Sequence, residues 1–400
     1  MAIYYHYVDN VSGATGNGGT GPADAHYTFQ QAFDGISGGG YDNTNDLIFV
    51  YVKDTGVTYS EEGVSVSSLD DYEMNIVGTN SSFVEDGSKP AISNSSDYFI
   101  NSTFGGRMYW RNFNFNTTYS NGVMNWTNSS QVNFINCDFE GNSVALYATG
   151  TSNTQNIIGT HVSCTYKNFT NSCFSGGSNR RNPNYVYCYF KNADPWRHGC
   201  GVGEHWLVNC VLEDSHVQDS NYDEKHIVNT LFYGSSTSAA QLYFGDRSTS
   251  AGYHVVVNNA FVDAPGYAIS SSSTKDTETY LMWKNFFHGA VSGTFNMSNN
   301  FDPSLYFGIT ASSGDPTFVD EASGGTAGFQ PTNTSTMSKV SIFNNDIGPI
   351  RSQDPVASQL SVATSDFDTT LTLNSTITFE GSGKTWRLAS KTGIPVFRRA

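Results

Sequence analysis

The stretch LVNCVL at residues 207–212 is followed, one repeat later, by IVNTLF at 227–232. Both consist of an apolar strand, a central Asn and an apolar ending, and the same pattern recurs along the chain about every two dozen residues. A repeat of this length indicates a solenoid. A degenerate copy, VSCTYKNF at 162–169, fills the widest gap. The third position of each copy is Asn112, Asn136, Tyr187, Asn209, Asn229, Asn258 or Asn285.

The composition indicates which kind of solenoid this is. Only 14% of the residues are charged, against about 25% in an ordinary domain, and Asn, Ser, Thr, Tyr and Phe are abundant. These residues favour strands and tight turns. Helical repeats would need Ala, Leu, Glu and Lys runs, and leucine-rich repeats would need a Leu ladder. The sequence therefore predicts an all-β chain, a right-handed single-stranded parallel β-helix over residues 47–325.

The two ends of the chain depart from the repeat. Residues 1–46 are predicted to hold a strand, a Gly-rich turn and a capping helix over Asp24 to Ile36, because apolar residues there recur at near-helical spacing. Residues 326–351 are interpreted as an exit segment. Within residues 352–400, the stretch TLTLNSTITF at 370–379 alternates apolar and polar positions, and Gly-Ser-Gly at 381–383 precedes KTWRL, which predicts a hairpin. Residues 352–400 are therefore predicted to form a separate small β element and a possible assembly region.

Three cysteines occupy the same position of the repeat. Cys137, Cys188 and Cys210 each follow the marker residue, and Cys164 lies in the degenerate copy. Because equal phase in a solenoid means stacking, we expect one internal column of free thiols, with no disulfide among them.

Several classes of partner are not expected. The net charge of -16 argues against nucleic acid, and no apolar run is long enough for a membrane span. Gly16, Gly18 and Gly21 match a GxGxxG pattern, but no βαβ unit follows, so we expect no cofactor. No cysteine or histidine pair has metal-ligand spacing. Met1 precedes a polar aromatic run with no signal peptide, so synthesis in a cytoplasm is expected.

The opening and closing segments together resemble a known family. The sequence VDNVSGATGNGGTGPADAHYTFQQAFDGI, followed by NDLIFVYV, resembles the entry of pectate-lyase-like parallel β-helix proteins, and GDPTFVD at 314–320 and NNDIGPI at 344–350 are similar to their exit segments. This architecture carries lyases, hydrolases, adhesins and phage tailspikes alike. The leaderless, Asn- and Gly-rich chain looks most like a virion protein of a tailed phage.

One dense group of ionisable residues lies between 194 and 226, and neighbouring loops of the repeat should bring part of it onto one lateral face. Polysaccharide cleavage needs paired carboxylates, or a base with a neutralising cation. Trp196 is a candidate for stacking on a sugar ring. The alternative is a set of ion pairs that bridge loops, which we consider the better interpretation. The candidate catalytic residues are Asp194, Arg197, Asp214, His216 and Asp219.

The favoured function is a structural, surface-exposed virion protein, either a head decoration or spike or a tail fibre or tailspike. We expect it to form homo-oligomers, to contact other virion proteins and to bind host glycans. One alternative is a lyase or hydrolase that acts on host polysaccharide through residues 194–226. The other alternative is a non-viral β-helix adhesin.

Overall fold

The computed structural model consists of two units, Met1–Asp354 and Pro355–Ala400, each of which is described by itself. The structure describes residues 2–42, 46–69, 72–126, 131–148, 157–176, 181–196, 203–218, 223–234, 240–244, 253–271, 279–297, 316, 318, 321–324, 328–332, 376–378, 385–391 and 394–399.

The first unit is a parallel β-solenoid, as the sequence predicts. From β3 onwards, each coil contributes a strand to sheet A, then one to sheet B and, in most coils, one to sheet C or D, whereas β1 and β2 add to sheet A alone. Sheet A contains β1 Ile3–Val8, β2 Leu47–Lys53, β3 Glu73–Thr79, β6 Arg107–Arg111, β9 Gln131–Ile135, β12 Ile157–Val162, β15 Arg181–Val186, β17 Gly203–Val208, β20 Asp223–Val228, β23 Tyr253–Val257 and β26 Thr279–Trp283.

The other sheets of this unit are shorter. Sheet B contains β4 Ala91–Asn94, β7 Asn114–Thr117, β10 Asp138–Glu140, β13 Thr165–Phe169, β16 Tyr189–Ala193, β18 Val211–Glu213, β21 Leu231–Tyr233, β24 Ala260–Val262 and β27 Phe286–His288. Sheet C contains β5 Ile100–Ser102, β8 Met124–Trp126, β11 Val144–Ala148 and β14 Ser172–Gly176, and sheet D contains β19 Val217–Gln218, β22 Ala240–Phe244, β25 Tyr267–Ser271 and β28 Gly293–Met297.

Aromatic side chains stack along the core of the solenoid because identical positions of successive coils lie side by side. Phe115 stacks on Phe139 with ring centroids 4.9 Å apart, and Phe139 stacks on Tyr166 at 4.8 Å. Phe190 continues the column 5.1 Å from Tyr166. These rings are fully or almost fully buried. Burial of such large apolar surfaces supplies much of the stability of each coil.

The turn from sheet A to sheet B explains why the repeat carries Asn. The turn residue has a positive φ, which costs Asn less than most other residues. The Asn136 side-chain amide donates a hydrogen bond to Asn112 Oδ1 at 2.8 Å, and that of Asn258 donates to Asn229 Oδ1 at 2.7 Å. The positive-φ positions are Asn112, Asn136, Ser163, Tyr187, Asn209, Asn229, Asn258 and Lys284.

The expected column of cysteines is confirmed. Cys137, Cys164, Cys188 and Cys210 are buried, unpaired thiols at the same position of successive coils. The Cys188 backbone N–H lies 3.4 Å from Cys210 Sγ. Burial raises the pKa of the Cys137, Cys164 and Cys188 thiols well above the ordinary value. The column is therefore chemically inert core.

A short helix, α1 Phe29–Gly38, packs against the first coil through Phe29, Phe33 and Ile36. It begins later than the predicted Asp24 because Pro22–Asp24 form a separate 3₁₀ turn and Thr28 caps the helix by accepting the Gln31 N–H. Glu61 also accepts the Phe29 and Gln30 N–H groups, at 2.7 and 3.2 Å. Two acceptors thus satisfy N–H groups that have no partner within the helix.

Part of the segment after the last coil covers the outer face of sheet B. Phe318 and Phe329 pack against a small cluster that includes Val211, Leu231 and Phe286. This segment contains the 3₁₀ helix Glu321–Ser323, and a further 3₁₀ turn, Ser67–Leu69, lies in the first coil. Most of the predicted exit segment, 326–351, lies outside the described residues.

The second unit contains a small antiparallel sheet. Its strands are β29 Thr376–Thr378, β30 Thr385–Lys391 and β31 Ile394–Arg399, with β30 in the centre. The antiparallel pairing of Ile377 with Trp386 agrees with the predicted hairpin, whose Gly-Ser-Gly turn at 381–383 lies outside the described residues. Among the described parts of both units, no helix combines the length and apolarity of a membrane span.

Candidate functional site

The structure describes four of the six residues that the sequence singles out as candidates. Asp194, Trp196, Asp214 and His216 are placed, whereas Arg197 and Asp219 lie outside the described residues. The contacts of the four show which of them come together and whether they reach the surface.

Asp194 and His216 meet as a buried pair between two coils. Asp194 Oδ1 accepts a hydrogen bond from the His216 backbone N–H at 2.8 Å. The same oxygen lies 2.8 Å from Nδ1 of the His216 imidazole ring. The other ring nitrogen lies 3.4 Å from Gln218 Oε1. The Asp194 carbonyl also accepts the Cys173 N–H at 2.7 Å. These contacts use both residues to join coils.

Asp214 occupies a second turn position that repeats along the chain. Its φ is 49°, its N–H donates to the Tyr233 carbonyl at 2.9 Å, and Gly234 and Asp263 hold the same turn in the next coils. A Cβ on Gly234 would lie 2.5 Å from Asp214 Oδ1. Burial, and then the neighbouring Glu213 carboxylate, raises the pKa of Asp214. Asp is tolerated at positive φ, so the turn accounts for this residue.

Trp196 lies in the core, which corrects the expectation that it stacks on a sugar. Its side chain is 2% exposed, and residue 196 forms a parallel bridge with Phe174. The ring centroid lies 5.6 Å from that of Tyr185 and 5.2 Å from that of His205. An indole packed in this way offers no face to a ligand at the surface.

A lateral groove lies elsewhere, where sheet B ends and the chain turns towards sheet C. The groove has a volume of about 630 Å³ and is lined by residues 93–95, 116–118 and 140–142, together with Ser60 and Glu62. The three triplets belong to successive coils because Ser93 pairs with Asn116 and Asn116 pairs with Glu140. The groove therefore runs across the strands, along the direction in which coils stack.

The groove wall consists mainly of hydroxyl and amide groups. Thr118 and Asn142 are exposed, and the Asn142 side-chain amide donates to the Thr118 carbonyl at 3.2 Å. Asn94 is buried and donates to the carbonyls of Asp97 and Gly122 at 2.8 and 2.9 Å. Its Oδ1 accepts no hydrogen bond from the described residues. The wall thus offers hydrogen-bond donors and acceptors, which are the groups that bind sugar hydroxyls.

Gly141 shapes the floor of the groove. A Cβ at this position would lie 2.5 Å from Cε1 of Phe169 and 2.7 Å from Cγ2 of Thr117. Both of these side chains are buried, so neither has room to move away. Because Gly141 has no side chain, the groove keeps its depth at this position.

Two carboxylates lie in the groove. Glu62 accepts the backbone N–H groups of Ser95 and Ser96 at 2.5 and 2.9 Å, and a hydrogen bond from the Ser96 hydroxyl. These hydrogen bonds lower the pKa of Glu62 to about 2. Glu140 Oε1 accepts a hydrogen bond from the Asn168 amide at 3.2 Å.

The spacing of these acids argues against glycoside hydrolysis. Glu62 follows β2 and Glu140 ends β10, so three coil steps separate them, because β2, β3, β6 and β9 are successive strands of sheet A. At about 4.8 Å per step their backbones are about 14 Å apart. Each carboxylate hydrogen-bonds to the coil that follows its own, Glu62 to Ser95 and Ser96 and Glu140 to Asn168, so the side chains do not converge on each other. Hydrolases place the two carboxyl groups at most about 9.5 Å apart. Over the described residues, no three Asp, Glu, His or Cys side chains converge as metal ligands.

Sequence reasoning missed the groove. Its residues are Ser, Thr and Asn, which are abundant throughout the chain. The available signal was their common phase, since SNS at 93–95, NTT at 116–118 and EGN at 140–142 each end a strand of sheet B. The sequence analysis aligned the A-to-B turn of each repeat and did not align this later turn.

Comparison with known proteins gives a distant likeness in fold. No family model matches the sequence, and no curated protein matches it. A crystal structure of pectate lyase Pel9A is similar to this chain with a TM-score of 0.46 and 12% identity, over 88% of this chain and 96% of that chain. A similarity at this level carries no argument about activity, and the fold description rests on the strand pairing above.

Proposed function

We propose that the protein is a structural, surface-exposed virion component of a tailed phage that binds a host glycan along the lateral groove without cleaving it. The groove is the observation that carries the binding part of this proposal. It presents equivalent polar triplets from three successive coils, at a repeat of about 4.8 Å. A linear polysaccharide that lies along the groove would meet one triplet after another.

The ionisable residues support binding in preference to catalysis. Asp194 and His216 are buried and paired with each other, outside the groove. Glu62 holds a turn and stays ionised, so it is unsuited to donate a proton as a general acid. The two acids in the groove are also too far apart for hydrolysis.

The virion part of the proposal rests on the expectation from the sequence that an Asn- and Gly-rich parallel β-helix of this kind is a virion protein of a tailed phage. We propose that copies of the chain associate with one another and with other virion proteins. Residues 352–400 are the segment we assign to assembly, because a unit of this size buries little core by itself. Deleting them should leave a folded solenoid that fails to join its oligomer or particle, and normal assembly of the truncated protein would refute this role.

The glycan-binding function is tested with purified protein and host-surface polysaccharides. Thr118→Val removes a groove hydroxyl without changing side-chain size, and loss of one hydrogen bond should weaken binding about 3- to 10-fold. Thr20→Val, at an exposed position outside the groove, is the matched control and should bind normally. If both variants bind like the unaltered protein, the groove is not the site.

Two further measurements separate the alternatives. New reducing ends, or the absorbance of unsaturated products, would assign a hydrolase or a lyase in place of a binding protein. Mass spectrometry of purified phage particles should detect the chain. Its absence from particles and its presence on a cell surface would favour a non-viral adhesin.

A further inference from the structure

The ionisable residues that line the groove all carry negative charge. Among the described residues that line it, Glu62 and Glu140 are ionisable, and no Lys, Arg or His joins them. The chain as a whole has a net charge of -16. A polar groove that contains only negative charge repels anionic ligands and attracts cationic ones.

The charge on Glu62 is fixed by the fold. Its pKa of about 2 follows from the Ser96 hydroxyl and the two backbone N–H groups that it accepts. The carboxylate therefore remains ionised across the physiological range. It faces solvent, so its field acts on a ligand in the groove and not on a buried partner.

Glu140 supplies the second charge and keeps an oxygen available. Its Oε1 accepts from Asn168, whereas its Oε2 accepts no hydrogen bond from the described residues. Lys167 is the register partner of Glu140 in the next coil, but it does not line the groove, and no ion pair joins the two in the described part of the chain. Glu140 is thus placed to accept a hydrogen bond from a ligand.

We infer that the groove recognises a polysaccharide with free amino groups, such as a hexosamine chain that is not N-acetylated. The inference rests on the glycan-binding function proposed above and adds the class of sugar. Ammonium groups along the polysaccharide would form ion pairs with Glu62 at one end of the groove and with Glu140 at the other. Hydroxyl and amide groups between them would bind the sugar hydroxyls. The same two carboxylates would repel uronic-acid polymers.

The test compares three oligosaccharides of equal length by titration calorimetry at low ionic strength: oligomers of glucosamine, of N-acetylglucosamine and of galacturonate. The glucosamine oligomer should bind about 10-fold more tightly than its acetylated counterpart, and the galacturonate oligomer should not bind. Raising the salt concentration should reduce the preference, because exposed charges are screened.

A pair of variants assigns the preference to the groove. Glu140→Gln should weaken glucosamine binding several-fold, and should weaken it more than it weakens N-acetylglucosamine binding, because only the glucosamine oligomer loses an ion pair. Glu73→Gln, another partly exposed glutamate that lies on sheet A outside the groove, should change neither.

The outcomes separate this inference from the function on which it rests. Equal binding of the free and acetylated oligomers, or preferential binding of galacturonate, would overturn the charge-based selectivity and leave glycan binding in place. Binding that Thr118→Val does not affect would overturn the groove itself, and with it both proposals.

Discussion

The lateral groove and the ionisable group that begins at Asp194 place acidic side chains in opposite environments. In the groove, Glu140 is exposed and Glu62 is partly exposed, and both belong to a surface that can receive a ligand. In the second region, Asp194 is buried and is held by His216. Among the described acids, the one from the denser ionisable group, Asp194, is thus the more enclosed. In a solenoid, the phase of a residue within the coil decides its exposure.

The largest expected effect comes from breaking the buried pair. Asp194→Ala should lower the free energy of unfolding by about 3 to 5 kcal/mol, because the His216 N–H groups lose their buried acceptor. Denaturant unfolding measures the change. Asp194→Asn keeps an acceptor for the backbone N–H and should cost less. Equal stability of Asp194→Ala and the unaltered protein would show that this region is as open as the groove.

Acid should destabilise the protein through its buried histidines. His6 lies against His26, with ring nitrogens 3.5 Å apart, and burial followed by the His26 charge lowers its pKa to about 4. A depressed folded-state pKa means that the unfolded chain takes up the proton first. Stability is therefore lost as pH falls from about 6.5 to about 4, by about 3 kcal/mol for this residue.

Unfolding of His6→Phe, followed as a function of pH, measures this contribution. The variant should lose less stability than the unaltered protein between these pH values. Some acid sensitivity should remain, because burial also lowers the pKa of His161 and His226, in each case to about 3. A pH profile identical to that of the unaltered protein would remove His6 from the explanation.

A smaller effect is expected at the floor of the groove. Gly141→Ala should cost about 1 to 2 kcal/mol, because the added methyl group meets Phe169 and Thr117. Gly21→Ala, where a Cβ meets nothing within 4 Å, is the matched control and should be nearly neutral. If thermal unfolding shows equal losses for the two variants, the groove floor is not tightly packed.

The smallest effect is expected at the exposed acid. Glu140→Gln should change the free energy of unfolding by no more than about 0.5 kcal/mol, as is usual for surface substitutions. Denaturant unfolding next to Asp194→Ala provides the direct contrast. A loss of several kcal/mol would place Glu140 among the structural acids.

The fold was predictable because its two requirements are visible in the residues. A turn at positive φ favours Asn, and an inward column needs an apolar or small residue at one phase, as in Cys188 and Cys210. The site was not predictable in the same way. Trp196 lies among charged residues in the sequence, yet its strand-like bridge to Phe174 directs it inward. The groove depends on the alignment of loops that carry no distinctive residue.

The A-to-B turn keeps successive coils in register although the coils differ in length. Its positive-φ residues are between 20 and 29 positions apart in the chain, from Asn209 to Asn229 and from Asn229 to Asn258, yet each turn stacks on the last. Differences in coil length are therefore absorbed by the loops on the other sides. If a coil is gained, lost or duplicated in evolution, the remaining coils keep their stacking register as long as the new coil carries the same turn. Length and loop chemistry can consequently diverge between related chains while the scaffold stays the same.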